Sequence, residues 1–414
     1  MGALGPPPIG QTSHHQASAC AACGASLTGH VPYTAYDSVD IQWGDPAQPG
    51  LTVLTTRHIL YGGICACGHC TRDTPHQHAA DPHYYPKTDV AEWRLIGPKL
   101  ASLVVHLRLR CRMSVRGSQA FLHEVLGIPL SVGALQQCFV EAAASAAPLE
   151  DALVAELLGS AGQDGGIVLH ADETSWKERG ELLWLWAFTT TLTVCFWVGH
   201  RTREMFDNVL GGTYGGWLMS DGYGAYRHYP KRLRCWAHLI RKARGLEECL
   251  DGDARAFGKL TLAWMGTLQA AIYGWREAGG TAGLATGAIR AQHQAGLAAF
   301  RAHCTANALS PHDKTAALAK EFINDWDAIF RTIDHPWLPL TNNDAERALR
   351  HWVILRKTNH GTKSAIGSRA LALLASIIGT CRLRGASSLA YLADVIGMAR
   401  AGQLLPALPT KVGV

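Results

Sequence analysis

Two short apolar runs in this chain each lead straight into an aspartate: Ile167-Val168-Leu169-His170-Ala171 into Asp172, and Trp217-Leu218-Met219-Ser220 into Asp221. Short runs rich in Val, Leu and Trp and bounded by turn formers predict strands. Neighbouring strands of one sheet that both end in Asp bring two carboxylates to the same edge. Like charges that close repel, and at least one pKa rises unless a cation neutralises the pair. Hard oxygen donors in that setting suit Mg²⁺. Taken singly, each residue also has a plain reading, because Asp often ends a strand and Asp-Gly often makes a turn.

The flanking segments extend the sheet. Leu182 to Thr189 and Thr193 to Val198 predict two further strands, Arg203 to Leu210 a helix, and Leu233 to Trp236 a fifth strand leading into a basic helix near His238. Three consecutive strands, a helix, then strands alternating with helical segments is the order of a ribonuclease H-like α/β fold. From about 250 to 335 the composition is helical with no strand signal, which predicts a helical insertion, read either as a DNA contact or as a spacer or dimerisation element. Glu346 follows it, in Leu340-Thr341-Asn342-Asn343-Asp344-Ala345-Glu346, at the start of a helix that can pack on the sheet and complete the acidic set. Asn343 and Glu346 also have capping-box spacing, which would make Glu346 only a helix-start signal.

A chain of 414 residues, 48% of them hydrophobic by type, can bury two or three domains. Its net charge of +5 is modest, but the cations cluster: Arg227 to Gly245 holds seven Lys or Arg and no carboxylate, and Arg347 to Ala393 holds no carboxylate either. Such runs predict two positive surfaces suited to a polyanion. The N-terminus lacks the pattern of a secretory signal, so reduced thiols are expected for the twelve cysteines. No apolar stretch reads as a bilayer span, and a soluble, cytoplasmic protein without a membrane partner is expected.

Residues 1–19 read as a flexible lead-in, 20–70 as a zinc-ribbon-like module, 71–95 as a linker and 401–414 as a tail. In the module, Cys20, Cys23, Cys67 and Cys70 are the natural tetrahedral Zn²⁺ set, with Cys65 or His69 as substitutes and free thiols as the alternative. Residues 96–160 show helical periodicity, with Phe121, Leu122, Val125 and Leu126 on one stripe before Gly127 and Ser131 capping the next helix. With Lys99, Arg108, Arg110, Arg112 and Arg116 nearby, this pair reads as a DNA-binding helix-turn-helix or as two ordinary packed helices.

Five segments, HADETSWKERGELLWLWAF, GWLMSDGYGAY, CWAHLIRKA, NNDAERALR and RKTNHGTKS, resemble in order the motifs of insertion-sequence-66 family transposases. The resemblance runs well from about Gly166 to Ile396 and more weakly before it. It implies a DDE-type core over 166–400 in which Asp172, Asp221 and Glu346 form the acidic triad, with two Mg²⁺ ions as cofactors and DNA as substrate. Cleavage of element ends and joining to target DNA would follow, on DNA-bound homo-oligomers and with accessory proteins of the element. A nuclease that does not join, or a non-catalytic domesticated DNA-binding protein, are the alternatives. Cys235 and His238 are of metal-ligating type, but a lone Cys-x-x-His pair is weak evidence beside an ordinary buried Cys and hydrogen-bonded His, and a similar pair in several transposase families implies a structural or strand-positioning role. Arg241, Lys242, Arg244, Arg347, Arg350 and Arg356 are the expected phosphate contacts, against the reading of a solvated face.

Overall fold

The computed structural model describes residues 8–44, 50–72, 94–159, 167–211, 214–280 and 287–411. Most of the expected 71–95 linker lies outside them. The chain divides into two compact units, one formed by Met1–Ala152 with Lys357–Val414 and the other by Leu153–Arg356.

The first unit begins with strands β1 (Gln11–His15), β2 (Val31–Trp43), β3 (Leu51–Ile64), β4 (Cys70–Arg72) and β5 (Arg94–Ile96). They form one sheet in the order β1-β3-β2-β5, with β4 added antiparallel to β3. Part of the expected lead-in is therefore ordered: β1 pairs in parallel with β3, from Gln11 opposite Thr56 to His15 opposite Leu60. Helices α1 (Pro98–Leu109), α2 (Val115–Leu126) and α3 (Val132–Ala146) follow, and the boundary between the units, at Ala152–Leu153, falls within α4 (Glu150–Gly159). Asp40 of β2 accepts the Leu100 N–H at 2.8 Å, and a Cβ at Gly97 would collide with the Asp40 side chain, so only glycine fits that entry into α1. The α2 stripe is partly realised: Leu122 is buried and Val125 is exposed. Gly127 ends α2 in the left-handed region, and Ser131 caps α3 through the Ala134 N–H. Arg108, expected among the DNA-facing cations, instead lies 4.3 Å over the Phe139 ring.

Helices α13 (Ala365–Leu383) and α14 (Ser388–Arg400), expected as the end of the core, pack here against α3. Arg400 fastens α14 by a 2.7 Å ion pair to Glu141 and a hydrogen bond to the Ile96 carbonyl. Among the described residues α13 alone is long and apolar enough to cross a membrane, and 67% of its apolar window is buried within the protein.

The second unit is built on β6 (Leu169–Glu178), β7 (Glu181–Thr189), β8 (Val194–Gly199), β9 (Leu218–Ser220) and β10 (Arg232–Arg234), in the order β10-β9-β6-β7-β8. β6, β7 and β8 form an antiparallel meander, and β9 and β10 add in parallel beside β6. Helix α5 (Arg203–Leu210) matches its expected span. Strand β6 is longer than its apolar run, because pairing with β7 continues past Asp172 to Glu178 opposite Glu181, with Glu173 and Trp176 buried and Thr174 and Ser175 part-exposed. Asp172 therefore lies within a strand and not at its end.

After α6 (Trp236–Glu247) come α7 (Gly252–Glu277), α8 (Ala288–Gln292), α9 (Gln294–Asn307), α10 (Asp313–Asn324) and α11 (Trp326–Phe330), then α12 (Asn343–Asn359). The insertion has its own apolar centre, with Phe257, Met265, Phe300, Phe322 and Phe330 buried against Trp236 of α6. It is bolted to the sheet by buried charge. Asp325 pairs with Arg232 at 2.5 Å and with Arg234 at 3.0 Å, and Glu321 pairs with Arg234 and, at 2.6 Å, with Lys242. Two of the seven cations at 227–245, Arg232 and Arg234, are thus spent inside the protein. Removing one partner of a buried pair strands the other charge, so Asp325→Ala is expected to cost about 3–5 kcal/mol, measured by urea unfolding; a change below about 1 kcal/mol would show that Arg232 and Arg234 have other support.

Candidate active site

Strands β6 and β9 set the register of the two aspartates. Leu169 stands opposite Leu218 and His170 opposite Met219. That register ends two residues short of both aspartates, and the charge of Asp221 acts on the Asp172 carboxyl. Side chains on such a sheet edge are held by the strands while remaining open on one side.

Three hydrogen bonds tie together the segments carrying the acids. The Cys235 N–H donates to the Ser220 carbonyl at 3.0 Å, next to Asp221. The Asn342 N–H donates to Cys235 Sγ at 3.2 Å, and the Asn342 side-chain amide donates to the Ala171 carbonyl at 2.8 Å, next to Asp172. Asn342 is fully buried, and its Oδ1 lies 3.2 Å from His170 Nδ1. It thus docks the N-terminus of α12, and with it Glu346, against the sheet. Glu346 does not cap its helix: its Oε1 is shielded from solvent and has no hydrogen-bond partner, at 3.8 Å from His238 Nδ1.

Burial and neighbouring negative charge both act on these carboxyls. Burial, then the charges of Glu173, Asp221 and Glu346, push the Asp172 carboxyl from 3.8 up to about 8. Burial raises Glu173 as well, against the hydrogen bond from Tyr226 and the ion pair with Arg201. Tyr226 donates to Glu173 at 2.6 Å, and Arg201 holds the other oxygen at 2.6 Å. The Arg201 guanidinium is stacked between Trp184 and Tyr223, at 4.4 and 3.9 Å from their ring centres. Asp221 accepts the Tyr223 N–H at 2.8 Å. A cavity of about 620 Å³ opens beside it, lined by Arg201, Tyr223, His238, Lys242 and Lys320 among others.

Sequence reasoning missed Asn342, Glu173, Arg201 and Tyr226. Glu173 reads in the sequence as part of a polar exit from the strand, and Arg201 and Tyr226 are joined to it only in space.

The expected cations divide. Arg241, Arg244 and Arg350 are exposed, and Arg347 is exposed with Asp344 at 3.7 Å. Lys242 is held by Glu321 yet stays half-exposed. Arg356 is turned inward, donating to Thr174 Oγ1 at 3.1 Å and Ser175 Oγ at 2.8 Å, so it braces β6.

The second cluster lies in the first unit. Cys20, Cys23, Cys65 and Cys67 bring their sulfurs within 4.8 Å of one another. The separations of 3.7 Å for Cys20–Cys67 and 3.5 Å for Cys23–Cys65 are close to the ~3.8 Å edge of a zinc–thiolate tetrahedron. Cys65, and not Cys70, completes the group. The Cys65–Gly68 turn, closed by the Gly68 N–H on the Cys65 carbonyl, puts both of its sulfurs inward, whereas Cys70 is paired in β4 opposite Ile64. The backbone N–H groups of Cys23 and Ala22 draw the Cys20 thiol down to about 6. Cys23, although it accepts the Ala25 N–H, is pushed up to about 12 by the sulfurs of Cys65, Cys67 and Cys20.

A family model described as Transposase IS66 family matches residues 94–370. The chain belongs to this family. It is also 25% identical to the uncharacterized protein y4qI of Sinorhizobium fredii (strain NBRC 101917 / NGR234), over 49% of this chain and 41% of that protein. The chain thus spans about two fifths of that relative's length. The family match takes in all three carboxylates, Cys235, His238 and α12, and it leaves the N-terminal cysteines outside.

Proposed function

We propose that this transposase-family chain cleaves the ends of a DNA element and joins them to target DNA, with Asp172, Asp221 and Glu346 holding two divalent ions at the edge of a ribonuclease H-like sheet. The β10-β9-β6-β7-β8 order supports that fold reading. The observation that supports the catalytic reading is the set of hydrogen bonds from Asn342 and Cys235 that ties together the segments next to the three carboxylates, with the charges of Asp221 and Glu346 acting on Asp172. The raised Asp172 carboxyl and the unpartnered Glu346 Oε1 fit a cation-binding role, and oxygen donors suit Mg²⁺.

When bound, such ions activate the attacking water or 3′-hydroxyl and stabilise the leaving 3′-oxygen. The carboxylates fix the ions' position, and Asn342 fixes Glu346. Glu173 and Tyr226 form a rigid support beneath Asp172, and Arg201, held by Glu173 and two aromatic faces, presents a fixed cation beside Asp221. DNA hydrolysis at an element end leaves a 3′-hydroxyl, which then attacks the target phosphodiester at the same site. No covalent protein intermediate is required.

Cleavage and joining assays with Mg²⁺, on DNA ends taken from inverted repeats flanking the gene, test this reading. Nicked ends and joined products are expected from the wild type; cleavage without joining would reassign the chain as a nuclease.

Arg241, Arg244, Arg347 and Arg350 provide the surface for DNA backbone. Replacing Arg241 and Arg244 together with Ala is expected to weaken binding to all sequences alike and to flatten the log–log salt dependence by roughly 0.9 for each lost contact. An unchanged slope would make them a solvated face. Arg350, one helical turn from Glu346, should affect cleavage more than binding when replaced by Ala.

The cluster of Cys20, Cys23, Cys65 and Cys67 is the structural Zn²⁺ site of the N-terminal module. Cys23→Ser is expected to lose one zinc per chain by elemental analysis, while Cys70→Ser keeps it. The reverse result would restore Cys70 as the ligand.

A further inference from the structure

We propose that Cys235, His238 and Glu346 form a separate site for a borderline-soft divalent cation such as Zn²⁺, and that filling it withdraws Glu346 from the Mg²⁺ site. Sulfur, imidazole nitrogen and carboxylate oxygen lie within 4.8 Å of one another. Cys235 and His238 stand one turn apart at the N-terminus of α6, and Glu346 reaches them from α12. His238 Nδ1 and Glu346 Oε1, 3.8 Å apart, are both shielded from solvent and lack hydrogen-bond partners. That distance is too long for a hydrogen bond and close to the ~3.4 Å between two ligands of one tetrahedral zinc. An ion between them would satisfy both atoms at once.

The chemistry of the donors selects the metal. Mg²⁺ takes oxygen ligands and leaves a thiol and an imidazole aside, whereas Zn²⁺ binds both well. Burial pushes the Cys235 thiol up, against the N–H groups of Asn342, His238 and Ala237 that its sulfur accepts, so a bound cation would have to displace the thiol proton to solvent. Three protein ligands leave a fourth tetrahedral position open. Glu346 is the only one of the three shared with the acidic triad, so the two metals compete for it. The binding claim rests on these three side chains alone, and the competition rests on the role proposed for Glu346.

The test is a zinc count on the full-length chain after dialysis against a zinc-buffered solution, with the N-terminal cysteines intact. Cys235→Ser and the half-buried His238→Gln are each expected to hold one zinc fewer per chain than the wild type, with unchanged circular dichroism spectra. Equal counts in the wild type and His238→Gln overturn the site. In Mg²⁺-dependent cleavage, the same free Zn²⁺ is expected to inhibit the wild type at least tenfold, with inhibition relieved by raising Mg²⁺. Inhibition that Mg²⁺ does not relieve overturns the competition while leaving the zinc count to decide the site. A chain that cleaves no DNA overturns the proposed function and not the zinc site.

Discussion

Asp172→Asn, Asp221→Asn and Glu346→Gln are each expected to lower cleavage and joining by at least about a thousand-fold, since each removes part of the charge that holds ions contributing several kcal/mol to the transition state. DNA binding should change by less than about threefold, because phosphate contacts elsewhere supply most of the affinity. The amides keep shape and size, so the hydrogen bonds of Asn342 to the Ala171 carbonyl and of Cys235 to the Ser220 carbonyl remain. The effects should not multiply: a double variant should be about as inactive as either single one, because residues that hold one ion act as a unit. Near-normal turnover in any one variant would remove that residue from the triad.

The same carboxylates should make the metal-free protein weaker than its own inactive variant. Asp172 titrates near 8 when folded against 3.8 as the ordinary value. Between those pH values the folded chain keeps a proton that the unfolded chain has lost. Stability from this group is therefore full below about pH 4 and declines as pH rises towards 8. Asp172→Asn removes that penalty. In chelator, the variant is expected to melt above the wild type at pH 7–8 by a margin on the order of a few kcal/mol, and the gap should close near pH 4. Millimolar Mg²⁺ should raise the wild-type melting temperature and leave the variant almost unchanged. A wild type that melts higher than Asp172→Asn in chelator at pH 8 would mean that the carboxylates do not repel one another as described.

Much of this sheet could be read from local pattern. The strands after Gly166 and helix α5 announced themselves because alternation and helical period are properties of a few adjacent residues. The aspartates were legible for the same reason, each following an apolar run. The end of β6 was not, since Asp172, Glu173 and Thr174 look like a polar exit and are kept in the strand by pairing with Ala187, Trp186 and Leu185 of β7. Charge misled in a similar way. Arg232 and Arg234 stand in a run without acids, yet their partners Asp325 and Glu321 arrive from the insertion, roughly ninety residues on. The choice of Cys65 over Cys70 depended on which cysteines share a turn and which are paired in a strand. Asn342 shows the limit most clearly: nothing in Thr341-Asn342-Asn343 marks its buried role, which exists only once β6, α6 and α12 meet.

Metal ions held by Asp172, Asp221 and Glu346 are expected to contact the scissile phosphate directly. The most direct measurement is cleavage of an element end carrying a phosphorothioate at that one linkage, in Mg²⁺ and in Mn²⁺. Sulfur is a poor ligand for Mg²⁺ and a better one for the softer Mn²⁺. One phosphorothioate diastereomer is expected to be cleaved at least about tenfold more slowly in Mg²⁺ and to recover in Mn²⁺, corresponding to the loss and return of a contact worth about 1 kcal/mol or more. Equal cleavage of both diastereomers in Mg²⁺, with no gain in Mn²⁺, would contradict it.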